Sequence, residues 1–121
     1  MNSKMIDDPN ALDQYIDLLG EEAMEFIIEL IDTLLAGAPE SFRSLDQSLA
    51  ENDPPTFRRA AHTLKTVCLT VGAKSLADKF RVLEDKGEAG DLSSADQLLE
   101  SCKPDFNQLE QELIHKKGDL S

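Results

Sequence analysis

Apolar residues recur three and four apart along nearly the whole chain, and no alternating apolar–polar run is bounded by hairpin turns, so the pattern is that of successive amphipathic helices. A short first helix is predicted from about Pro9-Asn10 to Leu19, stopped by Gly20. Ala23, Ile27, Leu30, Ile31 and Leu34 stripe a second, to Gly37, and Pro39 opens a third with Phe42, Leu45 and Leu49 inward, ending near Asn52. These two are equally readable as one long helix kinked at Gly37-Ala38-Pro39. Asp53-Pro54-Pro55-Thr56 starts the next helix, in which Phe57, Ala60, Ala61, Leu64, Val67, Cys68 and Val71 form one stripe and which Gly72 breaks. Leu76, Phe80 and Leu83 mark a helix closed by Gly87 and Gly90. Asp91 to Ser94 offers a cap for the last, with Ala95, Leu98, Leu99, Cys102, Phe106, Leu109 and Leu113 inward and Pro104 expected to kink it. The fold class that follows is all-α: an antiparallel four-helix bundle with a short additional N-terminal helix.

At 121 residues the chain suffices for one domain, 1–121, with a real core and no need of disulfides or metal. Cys68 and Cys102 both fall on apolar stripes, which reads as two free thiols in a reducing compartment. The most apolar stretch, Met24 to Leu35, is interrupted by Glu25, Glu29 and Asp32, so neither signal peptide nor membrane span is expected. A cytoplasmic monomer is the resulting expectation, and Met1 leans toward a free-standing protein rather than a segment of a larger kinase.

The net charge of -12 argues against nucleic acid or an anionic membrane as the main partner, since both demand a basic surface. Its distribution is uneven. From Phe57 to Arg81 six basic residues (Arg58, Arg59, Lys65, Lys74, Lys79, Arg81) face one acid, Asp78. Such a positive island could steer a partner with an acidic cleft.

In the middle of that island stands His62, on the wrong side of its helix for the core. At about 100° per residue it points some 160° from the centre of the stripe. Arg58 lies four residues before it, Lys65 three after, Thr66 four after and Leu69 seven after, so the imidazole is framed by two cations on an exposed face, as a phosphate site would be. An ordinary imidazole, with a pKa of about 6.5, is a competent neutral nucleophile at pH 7.

Ala61, His62, Leu64, Lys65, Gly72 and Ala73, followed by Leu76-Ala77, Leu83-Glu84 and the turn at Gly87 to Gly90, resemble the histidine-containing phosphotransfer (HPt) domain family over about a quarter of the chain. The resemblance implies a phosphorelay intermediate, not an enzyme. His62 would accept a phosphoryl group from the aspartyl phosphate of a receiver domain and return it to another receiver's aspartate; response-regulator receivers and a hybrid sensor histidine kinase are the implied partners. No cofactor is expected, the magnesium ion belonging to the receiver. Lys65, with help from Arg58, would pair with phosphoryl oxygens; Glu84 would occupy the position of a polar residue that approaches the imidazole and hold its unreactive nitrogen. Leu69 would belong to an apolar docking surface. Where the family usually has Gly after the Lys, this chain has Thr66, whose branched side chain narrows the approach of a partner's backbone.

Other chemistries fare worse. An enzyme built on His62 lacks a second histidine beside it. Glu112-x-x-His115 is one copy of a pair that di-iron bundles need twice, and His115, in a terminal His-Lys-Lys turn, complements a helix dipole. The stronger alternative is an HPt-shaped docking module that binds receivers or kinases without carrying phosphate; Thr66 favours it, and His62 with Lys65 opposes it.

Overall fold

The computed structural model describes residues 4–120; Met1 and Ser121, the ends of the expected domain, lie outside them. Five helices follow one another: α1 (Asn10–Leu19), α2 (Ala23–Ala50), α3 (Pro54–Val71), α4 (Lys74–Glu88) and α5 (Ala95–Leu120), with a single 3-10 turn, Gly20–Glu22, between the first two. Among the described residues there are no strands. Helices α2 to α5 make a four-cornered bundle in which each packs on its chain neighbours and α5 returns to α2, while α1 lies across α2 and α3.

Gly37-Ala38-Pro39 does not divide α2, so the single-helix reading is the one observed. Pro39 removes one backbone donor, but Ile27 and Ile31 before it, and Ala38 and Leu45 beside and after it, bury on the same face. Pro104 likewise sits within a continuous α5. Phe42 of α2, Phe80 of α4 and Phe106 of α5 meet edge to face at centroid separations of 5.2 to 6.5 Å, tying three corners together.

Asp53 opens α3 as a cap, its carboxylate accepting the Thr56 N–H at 3.4 Å ahead of Pro54 and Pro55. Gly72 ends it in the left-handed region at φ 86°. The next helix has no cap of its own in sequence, because Ala73 stands at its start. Asp7 supplies one from far away: its carboxylate accepts the N–H groups of Lys74 at 2.7 Å and Ser75 at 3.0 Å, and the Ser75 hydroxyl at 2.6 Å. The segment carrying Asp7 is held on both sides. The Gly72 carbonyl accepts the N–H groups of Asp7 and Asp8 at 3.0 and 2.9 Å, and the Glu112 carboxylate of α5 accepts those of Met5 and Ile6 at 2.8 and 2.9 Å. Glu112 is therefore a clamp on the N-terminal segment.

Gly87, expected to close its helix, instead lies inside α4, and the positive φ (73°) falls at Gly90. Its function is close approach. A β-carbon at Gly87 would stand 2.8 to 2.9 Å from the backbone and β-carbon of Arg58, so α3 and α4 touch here at a distance only glycine permits.

Candidate functional site

The close crossing at Gly87 and Arg58 sets the register of two antiparallel helices. One turn further along each, Glu84 of α4 comes opposite His62 of α3. Glu84 Oε2 lies 2.7 Å from His62 Nδ1, and its other oxygen, Oε1, lies 2.7 Å from Lys65 Nζ. The three side chains differ in exposure: Glu84 keeps 15% of its surface, Lys65 21% and His62 56%.

Burial pushes the Glu84 carboxyl up, but the hydrogen bonds and positive charge of Lys65 and His62 outweigh it and hold the group below its usual range. An ionised carboxylate only accepts hydrogen bonds, so the imidazole donates from Nδ1, and the lone pair is left on Nε2 of a ring more than half exposed.

The structure brings Lys65 to Glu84 rather than leaving it free, and Arg58 is drawn the same way, its Nε 3.4 Å from Glu88 Oε2. The positive island of the sequence is largely neutralised in three dimensions: Lys74 pairs with Asp8 at 3.2 Å, Lys79 with Asp105 at 2.6 Å, and Arg81 with Asp85 at 3.6 Å. A window along the chain counts charges in order, whereas these carboxylates arrive from α4, α5 and the N-terminal segment. Leu69 is half exposed, as the helical arithmetic requires. Thr66 is exposed too, and its hydroxyl donates to the carbonyl of His62 at 3.0 Å, which ties its side chain back onto the helix.

Apolar surface near the start of the bundle was not legible as a site. Among the described residues, five of the eight large apolar side chains that remain substantially exposed (Ile16, Leu18, Leu19, Met24 and Phe26) fall between the end of α1 and the first turn of α2, where the rings of Tyr15 and Phe26 meet at a tilt with centroids 5.0 Å apart. The available signal was their position off the buried stripe of Ala23, Ile27 and Ile31.

Cys68 and Cys102 are buried and unpaired, and burial pushes their thiols up to about 12 and about 11, so neither is a nucleophile at neutral pH. No α3 and α5 Cα atoms come within 8 Å, too far for a disulfide between them. Among the described residues no group of three His, Cys, Asp or Glu side chains converges as metal ligands would, and no helix is long and apolar enough to cross a membrane.

The family model for the Hpt domain matches residues 29–119. The fold is similar to the crystal structure of histidine-containing phosphotransfer protein B (HptB) from Pseudomonas aeruginosa PAO1, at a TM-score of 0.82 and 24% identity over 98% of each chain. No curated protein sequence matches. With the family model covering most of the bundle, including α3 and α4, the chain belongs to the Hpt domain family of two-component phosphorelays.

Proposed function

We propose that this chain is a phosphorelay intermediate that takes a phosphoryl group onto His62 from the aspartyl phosphate of one receiver domain and passes it to the aspartate of another. The observation that carries the reading is the Glu84 carboxylate, bonded at once to His62 Nδ1 and Lys65 Nζ. It supports a direct displacement. The Nε2 lone pair forms the N–P bond as the aspartyl O–P bond breaks, the electron pair leaving with the aspartate. The Nδ1 proton stays in place, and the positive charge that the ring acquires is balanced by Glu84. In the return step the N–P electrons go back to Nε2, and the leaving group is a neutral imidazole.

Lys65 moves from Glu84 toward the new phosphoryl oxygens, a short shift for a flexible ammonium. Arg58, anchored to Glu88, acts at longer range. Leu69 and Thr66 contribute to the docking surface, an exposed apolar side chain beside the acceptor being suited to a protein interface. The magnesium ion and acidic cluster belong to the receiver, and the chain works as a carrier, a single-domain cytoplasmic monomer serving response-regulator receivers and a hybrid sensor kinase. The reading as a docking module without phosphate is favoured by one observation, the Thr66 side chain standing beside His62.

Incubation with receivers charged by acetyl phosphate, followed by assay of acid-labile label, separates the two. Label is expected on the parent and absent from His62→Gln, which should fold normally because the imidazole is mostly exposed. Label retained by that variant overturns the assignment; an unlabelled parent favours the docking module.

A further inference from the structure

Among the basic residues between Phe57 and Arg81, Arg59 differs from its neighbours. Arg58, Lys65, Lys74, Lys79 and Arg81 each have a carboxylate within 4 Å, whereas the Arg59 guanidinium is held only by the Thr56 hydroxyl, at 3.2 Å, with no carboxylate in range among the described residues. In a chain of net charge -12 that is the less expected state. Arg59 lies one turn before His62, about 60° around the helix, on the flank away from Glu84. It overlooks a groove of about 300 Å³ between α2 and α3 whose lining includes Ser41, Ser44, Thr56 and Thr63, the Thr63 hydroxyl donating to the Arg59 carbonyl at 3.1 Å. The carboxylate nearest in that lining, Glu40, is engaged by Arg43. A shallow polar groove with one uncompensated guanidinium suits a carboxylate, which Arg binds in a two-pronged fashion and which the hydroxyls can also serve.

We infer that Arg59 and this groove form an anchoring subsite for an acidic side chain of the receiver domain that docks over His62. This rests on the phosphocarrier reading for the identity of the partner. Arg59 does not touch the reacting atoms. It is a positioning residue that governs encounter and partner choice, on the flank of the histidine opposite the Glu84–Lys65 pair. Rim charges of this kind act mainly on association rate and its salt dependence, because they work through a screened field before contact.

The test measures transfer from acetyl-phosphate-charged receiver domains to the full chain across a series of ionic strengths, taking the fastest donor of a panel. Arg59→Ala is expected to lower the second-order rate constant at low salt by roughly three- to tenfold and to flatten its salt dependence, with the rate at saturating receiver and the label on His62 unchanged. Arg59→Lys should recover much of the salt slope, and Arg81→Ala, whose charge is engaged by Asp85, should keep it. A parental rate and slope in Arg59→Ala overturns the subsite, and so does a loss confined to the saturated rate, which would put Arg59 on the phosphoryl group. If the parent takes no label, the phosphocarrier reading fails, and the same salt series on receiver association decides Arg59 independently: dependence on Arg59 supports the anchor, indifference overturns it.

Discussion

Gly87 and Arg58 meet so closely that a β-carbon on the glycine would lie 2.8 Å from the arginine's own β-carbon and 2.9 Å from its backbone. The contact fixes the spacing of α3 and α4 one turn away from the Glu84–His62 pair. Alanine at Gly87 improves intrinsic helix propensity by about 1 kcal/mol, yet it must push the backbones apart, and overpacking of this kind costs roughly 1–3 kcal/mol. Gly87→Ala should therefore melt below the parent and transfer phosphate more slowly, since the shift carries Glu84 away from His62. A variant more stable than the parent in thermal unfolding would show that the helices have room to spare.

Glu84→Gln retains an acceptor for Nδ1–H but removes the charge that holds Lys65 and that, in the proposed transfer, would balance the phosphorylated ring. About tenfold slower transfer is expected, equivalent to one charge-assisted bond of about 1.4 kcal/mol. The pH dependence has a definite sign. The folded-state carboxyl is depressed below its ordinary 4.5, so its contribution to stability is complete above that value and is lost as pH falls through the lower folded one. Acid unfolding of Glu84→Gln should lack this component. Identical transfer rates for the two proteins at pH 7 would remove Glu84 from the mechanism.

Asp7→Ala deletes a cap that reaches α4 from 67 residues away. A cost of roughly 1–2 kcal/mol is expected, as for other N-caps. The hydrogen bond from the Ser75 hydroxyl, against a smaller cost of burial, and those from the Lys74 and Ser75 N–H groups hold the Asp7 carboxyl below its ordinary 3.8. Its stabilisation is thus present above that value and fades as pH drops through the depressed one. Denaturant unfolding at pH 7 and at pH 3 measures both: the gap between parent and variant should narrow at the lower pH, and a constant gap would contradict the cap.

Thr66→Gly removes a side chain tied to the His62 carbonyl and should admit a partner's backbone more closely, accelerating or broadening transfer from non-cognate receivers. The variant should lose under about 1 kcal/mol of stability, because Gly is a poorer residue in mid-helix. Slower transfer to its own partner would show that the threonine makes a favourable contact instead of a steric limit.

Helical spacing alone placed His62 and Leu69 outside and the stripe from Phe57 to Val71 inside, because which side faces the core depends only on 3.6 residues per turn and on where apolar atoms can escape water. The resemblance pointed to Glu84, and the structure brings it to the imidazole. What neighbours do through space was not written in any local window. The continuity of α2 through Pro39 was settled by burial on one face before and after it. Lys65 and Arg58 looked like free cations until Glu84 and Glu88 reached them from the next helix, and Arg59, counted in sequence only as one of the basic run, has no carboxylate in range among the described residues because it points to the other flank. Gly87 resembled a helix stop and proved to be a point of contact with α3, and Glu112, read as half of a Glu-x-x-His pair, proved to clamp the N-terminal segment whose Asp7 caps α4. Periodicity is a property of one helix and is legible in its residues; ion pairs, distant caps and close crossings depend on the distance between chain segments, which only the packed bundle defines.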